Sequence, residues 1–218
     1  AAPSVLSSCG NKKEEKIAKG RICKGEKVNV AFIGIGNRGF DDVKGMYETG
    51  LCNVIALCDV DMGAPQTKAA IDMFPDVPRY NDWRELFAKE ADRLDAVMIA
   101  TPDQSHFAIS MAAMKLGKHV YVEKPLARTF MECELLMEAE KKHEVVTQMG
   151  NQGHSEANYF QFKAWKEAGI IKDVTAITAH MNNSRRWHGW DPHITSYPAA
   201  EQVPETMNWD TWFGPAYP

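Results

Sequence analysis

A strand, a glycine-rich turn and a helix in direct succession constrain the fold of this chain most strongly. A run of strand-forming residues at 28–33 precedes Gly34, Gly36 and Gly39, which are spaced as G-x-G-x-x-G. Residues 40–49 then have the pattern of a helix. This order predicts a dinucleotide site, because the first N–H groups of the helix are free to bind a pyrophosphate. Gly34 permits the tight turn, Gly36 lets the phosphates approach, and Gly39 lets the helix pack on the strand.

A carboxylate ends the second predicted strand, residues 53–59, at about the distance from Gly39 that a ribose-binding acid requires. We expect Asp59 to accept hydrogen bonds from both ribose hydroxyls of adenosine. Alternatively, Asp59 is a turn or helix-capping residue, and Asp61 is then the candidate. Because a carboxylate repels a 2′-phosphate, the sequence favours NAD over NADP. Arg38 mildly favours NADP instead, unless its side chain contacts the pyrophosphate.

Strands and helices alternate along the rest of the chain up to residue 150. Further strands are predicted at 94–100, 119–122 and 145–148, and further helices at 64–74, 82–89, 107–116, 129–143 and 156–168. Thr129 and Glu132 have the spacing of a capping box, and Gly169 is a C-cap candidate. The alternation predicts an α/β fold with a doubly wound parallel sheet, whose ligands bind at the carboxyl ends of the strands.

Polar segments follow the later predicted strands at that edge. They are Thr101-Pro-Asp-Gln-Ser-His106, Glu123-Lys-Pro125 and Asn151. Together with the glycine motif and the acidic pair at 59 and 61, these segments resemble the glucose-fructose oxidoreductase / inositol dehydrogenase / MocA family of NAD(P)-dependent enzymes. The resemblance extends through residues 169–174 to 209–215 and covers nearly everything after Lys27.

The resemblance implies an NAD-dependent oxidoreductase that removes a hydride from a sugar or polyol hydroxyl, without a metal. Lys124 is the first candidate catalytic residue, because a lysine there can polarise the hydroxyl or help to take its proton; the alternative is a surface lysine. Glu123 either orients Lys124 or contacts the nicotinamide ribose. His154 is the second candidate, although N-cap hydrogen bonding before the next predicted helix competes with a substrate role.

The residues expected to bind the cofactor share the predicted carboxyl edge. They are Gly34, Gly36, Asn37, Arg38, Gly39, Asp59, Thr101, Pro102, His106, Glu123, Lys124, Pro125 and Asn151. Thr101 is expected to donate a hydrogen bond to the cofactor, whereas His106 either contributes to the site or only caps the following helix. The resemblance also implies a cis Lys124–Pro125 bond.

A second, substrate-binding domain is expected after residue 150, with an open, mostly antiparallel sheet. Residues 174–181 are the predicted first strand of that sheet. Arg185, Arg186 and Trp187 either line a sugar subsite or form an interface. The predicted divisions are a leader remnant and tether at 1–26, the cofactor domain at 27–150, and the first part of the substrate domain at 151–218.

The family's Asp/Lys-x-x-x-His segment, whose histidine often acts as the base, is not found after Gly169. We therefore expect these 218 residues to be truncated, and to bind NAD without turning over a sugar. Two alternatives to a sugar dehydrogenase remain. One is an NAD-dependent glycosidase that works by transient oxidation, elimination and re-reduction, a subgroup that the segment from Gly150 to His154 also resembles. The other is a nucleotide-binding fragment without chemistry.

Composition limits the partners. The net charge is −4, without a long basic block, so nucleic acid is not expected as a partner. The cysteines lack C-x-x-C spacing and a companion histidine cluster, which indicates neither a zinc site nor a disulfide framework. Cys52 and Cys58 are predicted to be buried thiols, and their even spacing predicts that both face the same side of the second strand.

The beginning of the chain resembles the cleavage box of bacterial lipoproteins. Leu6-Ser-Ser-Cys9 is followed by a charged segment suited to a tether. This pattern predicts an exported protein, periplasmic or anchored to a membrane by a lipid on Cys9. The alternative is a frayed N-terminus with a chance cysteine in a cytoplasmic protein. A homo-oligomer is expected in either case.

Overall fold

The structure is a computed structural model, and it describes residues 25–180, 193, 196 and 199–215. The predictions for Cys9, Arg185, Arg186 and Trp187 fall outside the described residues. The chain divides into two compact units, which are treated separately below. The first combines Ala1–Gly150 with Pro204–Pro218, and the second is Asn151–Val203. The three predicted domain divisions stay predictions.

A six-stranded sheet forms the centre of the first unit, and every pairing in it is parallel. Its strands are β1 (Val28–Ile33), β2 (Cys52–Cys58), β3 (Arg79–Tyr80), β4 (Ala96–Ile99), β5 (His119–Glu123) and β6 (Thr147–Gly150). The spatial order β3-β2-β1-β4-β5-β6 is that of a Rossmann fold and confirms the predicted doubly wound sheet. Only β3 was not predicted, because two residues show no periodicity.

The described part of the chain contains seven α-helices. They are α1 (Arg38–Glu48), α2 (Lys68–Met73), α3 (Trp83–Glu90), α4 (Asp103–Lys115), α5 (Phe130–His143), α6 (Ala157–Glu167) and α7 (Trp209–Phe213). Helix α6 belongs to the second unit and the other six to the first. The capping box of Thr129 and Glu132 is present at the start of α5. Gly169 has a φ of +70° just beyond α6, as expected of a helix C-cap.

Helix α4 begins earlier than predicted, and this corrects one alternative for His106. Pro102 occupies the N-cap position and Asp103 lies in the first turn, where a carboxylate is favoured by the helix dipole. His106 is therefore inside the helix and does not cap it. The prediction placed the start at residue 107 because it treated the polar segment before it as a loop.

Both faces of the sheet are buried, which is why its strands consist of nearly continuous apolar runs. One cluster contains Ile33, Ile99 and Val122 and packs against α4 and α5. The other contains Phe32 and Leu57 and lies on the face that α1 and α2 cover. With both faces occupied by apolar residues, polar side chains gather at the strand ends, and the candidate site lies there.

Cys52 and Cys58 are buried free thiols, as predicted, but they do not face the same side. Cys52 belongs to the cluster around Phe32, whereas Cys58 belongs to the cluster around Ile33. The pairing of β1 with β2 shifts by one residue between Val30 and Ala31, and this irregularity reverses the alternation of β2. The prediction that the two cysteines face the same side of the sheet, made from their even spacing, is therefore wrong.

The predicted strand at 174–181 is wrong for the residues that the structure describes. Residues 174–180 have no regular secondary structure, although their sequence is rich in β-formers. A strand exists only through hydrogen bonds to a neighbouring strand, and no ladder to this segment is present among the described residues. The prediction relied on the β-forming composition of this segment, and composition does not show whether a neighbouring strand is available for pairing.

Candidate functional site

A cavity of about 220 Å³ opens at the carboxyl edge of the sheet, where the strand order reverses between β1 and β4. This is the switch point at which doubly wound sheets bind their ligands. Several of the predicted cofactor residues line it, namely Gly34, Gly36, Asn37, Asp59, Thr101 and Pro102.

The glycine motif has the geometry that its spacing predicts. Gly34 has a φ of +83°, and a Cβ at this position would lie 2.5 Å from the carbonyl oxygen of Ala100. A Cβ on Gly39 would lie 2.1 Å from the carbonyl oxygen of Gly34. The start of α1 thus packs directly on the end of β1, and the turn between them lines the cavity through Gly34, Gly36 and Asn37.

Asp59 holds the backbone of the glycine turn, and its contact with the ribose stays a prediction. Its Oδ2 accepts a hydrogen bond from the N–H of Ile35 at 3.0 Å, and its Oδ1 accepts one from Asp61 at 3.1 Å. Burial raises the pKa of Asp59 above its ordinary value, and these two hydrogen bonds oppose the shift. A carboxylate has about four acceptor positions, so Asp59 retains capacity for ribose hydroxyls after holding the turn.

Asp61, the alternative ribose ligand, also lines the cavity. Its Oδ1 accepts a hydrogen bond from the N–H of Gly63 at 3.1 Å, and its backbone forms an antiparallel bridge with Met207. Asp61 therefore stabilises the loop after β2, whereas Asp59 lies directly at the strand end.

Thr101 and His106 connect the ends of β4 and β5. The Thr101 hydroxyl is buried and has no hydrogen-bond partner among the described residues, so a ligand in the cavity can satisfy it. His106 is 1% exposed, and its ring nitrogens lie 2.8 Å from the carbonyl oxygen of Thr101 and 2.7 Å from that of Pro125. His106 thus ties both loops together but does not line the cavity. Its contact with the cofactor stays a prediction.

The segment Glu123-Lys-Pro125 lies at the end of β5, beyond the lining of this cavity. The Lys124–Pro125 peptide bond is cis, as predicted. Glu123 is buried, and its Oε2 accepts a hydrogen bond from the backbone N–H of Lys124 at 3.3 Å. The Lys124 residue is exposed to solvent. The edge therefore presents an exposed lysine directly after a buried carboxylate.

Arg38 lies at the start of α1 with its guanidinium turned towards carboxylates. It forms ion pairs with Asp41, Asp42 and Glu123. These contacts leave Arg38 out of the cavity lining around Asp59. Its predicted contact with the pyrophosphate stays a prediction.

Asn151 and His154 belong to the second unit. The N–H of His154 donates a hydrogen bond to the carbonyl oxygen of Asn151, and its ring stacks on Tyr159 with the ring centres 5.3 Å apart. Glu156, not His154, occupies the N-cap position of α6, so the capping alternative for His154 is wrong. The catalytic role of His154 and the cofactor contact of Asn151 stay predictions.

The segment at 204–215 was not predicted to contribute to the cofactor site. The N–H of Asn208 donates a hydrogen bond to the carbonyl oxygen of Val60 at 2.7 Å, and Gln104 Nε2 donates to the carbonyl oxygen of Trp212 at 3.1 Å. This segment therefore bridges the loop after β2 and the start of α4. Three of its residues line the cavity, namely Met207, Thr211 and Trp212.

The sequence contains a local signal for the helix in this segment, but it does not show where in the fold the segment packs. Asn208 accepts a hydrogen bond from the N–H of Thr211, which is a helix N-cap that the sequence alone can indicate. The packing of Thr206 against Gly63, and the bond from Arg84 to Thr211 at 3.2 Å, join residues far apart in the chain. No spacing rule predicts such contacts.

The strand order, the glycine turn and Asp59 at the end of β2 together define a dinucleotide-binding Rossmann domain. Comparison with known proteins agrees: residues 28–151 match the sequence model of an oxidoreductase family with an NAD-binding Rossmann fold. The chain belongs to this family, the glucose-fructose oxidoreductase / inositol dehydrogenase / MocA oxidoreductases. The cofactor of its Rossmann domain is NAD.

Individual relatives carry two kinds of name. The chain is 31% identical to inositol 2-dehydrogenase of Salmonella typhimurium, over 83% of this chain and 51% of the relative. It is 35% identical to glycosyl hydrolase family 109 protein 1 of Shewanella sp. strain ANA-3, over 75% and 37%. The crystal structure of myo-inositol 2-dehydrogenase from Lactobacillus plantarum shares the fold, with a TM-score of 0.60 and 23% identity over 67% of this chain and 42% of that one. The chain thus spans about half the length of the inositol dehydrogenases that it matches.

The described residues contain no group of three or more histidine, cysteine or acidic side chains arranged to hold a metal. None of the helices described is long and apolar enough to cross a bilayer.

The position of Asp59 predicts the choice between NAD and NADP. We expect Asp59→Ser combined with Val60→Arg to raise the ratio of NADP to NAD affinity by about tenfold or more, because it replaces a repelling carboxylate with a guanidinium that can bind a phosphate. Dissociation constants for both cofactors test this. Asp76→Ser removes an exposed carboxylate and controls for the loss of one negative charge away from the cavity. An unchanged ratio in the double variant would remove Asp59 from the ribose site.

Proposed function

We propose that this chain is the cofactor-binding part of an NAD-dependent oxidoreductase that oxidises a hydroxyl of a sugar or polyol. The observation that carries the proposal is that one sheet edge presents both the cavity at Asp59 and, at the end of β5, the segment Glu123-Lys-Pro125. The similarity to inositol 2-dehydrogenases supports the substrate class.

The residues of this chain have distinct tasks in the proposal. Asp59 accepts hydrogen bonds from the ribose of adenosine and Thr101 donates one to the cofactor, while the glycine turn before α1 faces the phosphates. NAD, when bound, supplies a hydride acceptor. Lys124 polarises the substrate hydroxyl or helps to remove its proton, since an ammonium group near a hydroxyl favours loss of that proton. His106 holds the loops of Thr101 and Pro125 in place.

The test begins with the cofactor content of the purified protein. Denaturation should release NAD, or added NAD should bind with saturation, and inositol or a related polyol should then yield NADH detectable by its fluorescence. The binding step can be measured on the 218-residue chain. Failure to bind NAD in any form would contradict the proposal, whereas NAD binding without net NADH formation would leave the glycosidase and the nucleotide-binding fragment.

A glycosidase is the second candidate, and the similarity to the glycosyl hydrolase family 109 protein favours it. In that case oxidation of the sugar is transient, and the hydride returns to the product. Release of the leaving group from an aryl glycoside without net accumulation of NADH would support the glycosidase. Net NADH formation from a free polyol would instead support the dehydrogenase.

A further inference from the structure

Three residues near the end of the described chain give the cavity at Asp59 an aromatic wall. They are Met207, Thr211 and Trp212. The family model matches residues 28–151, so this wall comes from a part of the chain beyond the matched domain. Trp212, its largest member, is half-buried. The cavity therefore combines the polar groups described above with a large, flat apolar surface.

Hydrogen bonds from α3 and α4 fix the position of the wall. Gln104, on α4, donates through Nε2 to the carbonyl oxygen of Trp212 at 3.1 Å. The neighbouring Thr211 is 4% exposed, and its hydroxyl accepts a hydrogen bond from Arg84, on α3, at 3.2 Å. Its N–H donates to Asn208 Oδ1 at 3.1 Å. The protein itself therefore holds the wall in place, which lowers the entropy that a ligand loses on binding there.

A second tryptophan supports Trp212 from behind. The rings of Trp209 and Trp212 are stacked, with their centres 4.8 Å apart and their planes inclined by 11°. Trp209 does not line the cavity and is 44% exposed. An aromatic ligand in the cavity can therefore stack on Trp212 only on the face opposite Trp209, where it would extend an existing stack.

Trp83 is the other tryptophan that lines the cavity, but its ring is engaged by the protein. It packs edge-on against Phe87 with the ring centres 5.8 Å apart, and it contacts the hydrophobic cluster around Ile33. The guanidinium of Arg84 lies over its ring, 5.6 Å from the centre. Trp212 is therefore the better candidate for stacking on a ligand.

The polar lining of the cavity indicates which part of a dinucleotide meets this wall. The glycine turn is placed to receive the phosphates, and Asp59 is placed to receive the ribose attached to them. The group attached to that ribose in NAD is adenine, which is flat and aromatic. A nucleobase stacks well on an aromatic side chain, because every base has a π-face.

We propose that the adenine of NAD stacks on Trp212, so that the wall of Met207, Thr211 and Trp212 completes the adenosine site. This inference rests on the proposed function, because it assumes that the cavity holds NAD. Asp59 then binds the ribose through hydrogen bonds, and the wall binds the base through its flat surface. The affinity for adenosine thereby depends on a segment that the family's NAD-binding domain does not include.

The experiment uses AMP as the probe, because AMP contains adenine, ribose and a phosphate but lacks the nicotinamide half. Its Kd for the 218-residue chain is measured by displacement of NADH, followed by NADH fluorescence. A separate titration without NADH follows the tryptophan emission. AMP should bind to the unchanged protein and lower this emission, because a base stacked on an indole quenches its fluorescence. Neither measurement requires turnover.

Three variants assign the effect. Trp212→Leu removes the ring but keeps an apolar side chain, and it should raise the Kd of AMP about tenfold or more. Trp212→Phe keeps an aromatic face, so the Kd should stay within about threefold, while most of the change in tryptophan emission should disappear. Trp165→Leu removes a 43% exposed tryptophan of the second unit that does not line the cavity, and it should alter neither quantity.

An unchanged Kd of AMP in a folded Trp212→Leu variant would overturn the inference. If that variant does not fold, a full emission change in Trp212→Phe would overturn it, as would AMP binding to the unchanged protein without any emission change. Each of these results refutes only this inference when NAD still binds, and so does failure of AMP alone to bind. Failure of the unchanged protein to bind both NAD and AMP refutes the proposed function as well.

Discussion

Replacing Lys124 with alanine is expected to lower turnover about 100-fold or more, while the affinity for NAD stays within about twofold. Lys124 follows the buried Glu123 at the end of β5 and does not line the cavity that surrounds Asp59. Its loss should therefore remove proton transfer at the substrate and leave the adenosine contacts intact. Turnover with a saturating sugar or polyol, and NAD binding by calorimetry, check the two parts separately.

Two control variants test whether Lys124 acts by proton transfer. One keeps the positive charge at residue 124, and the other removes a lysine elsewhere on the surface. Lys124→Arg keeps a cation that does not release its proton near neutral pH, so it should restore little turnover if proton transfer matters. Lys115→Ala removes an exposed lysine at the end of α4 and should change neither quantity. Normal turnover at saturating NAD in Lys124→Ala would make Lys124 a binding residue.

Replacing Gly39 with alanine is expected to lower the free energy of unfolding by about 3 kcal/mol and to abolish NAD binding. The added Cβ would lie 2.1 Å from the carbonyl oxygen of Gly34 and 3.4 Å from the Cβ of Ala100. Both Gly34 and Gly39 belong to backbone segments fixed at the end of β1 and the start of α1, so helix and strand must separate. Denaturant unfolding and a cofactor titration check the two effects.

Gly45→Ala is the matched control, because Gly45 lies on the same helix with nothing within 4 Å of an added Cβ. Alanine has a higher helix propensity than glycine, so this variant should gain about 0.5–1 kcal/mol and bind NAD normally. Equal stability of the Gly39→Ala and Gly45→Ala variants would contradict the close packing at the glycine motif.

The sequence predicted the parts of this fold whose causes are local. The apolar runs of β1 and β4 are recognisable because a parallel strand buried on both faces needs hydrophobic residues at nearly every position. The glycine motif and Asp59 were recognisable for a similar reason, since a tight turn before a helix and an acid at a strand end have few substitutes. Their positions at one sheet edge followed from the alternation of strands and helices.

The features that were missed depend on contacts between distant residues. The irregular pairing of β1 with β2 reverses the side that Cys58 faces, and no pattern within β2 alone reveals it. Asp42 was not considered, because in the sequence it is an ordinary acidic residue on a helix. Its burial beside Arg38 distinguishes it in the structure.

The segment at 204–215 has a consequence for how this protein can be divided. The NAD-binding domain is discontinuous in the chain, since Asn208 and Trp212 are held by Val60 and Gln104 on either side of the cavity. A fragment that ends at Gly150 would retain all six strands and the whole glycine motif, yet one wall of the nucleotide cavity would be missing. Residues 151–203 lie between the two segments of the unit that holds the cavity, so a shortened or exchanged stretch there would still have to let residues 204–215 reach this wall.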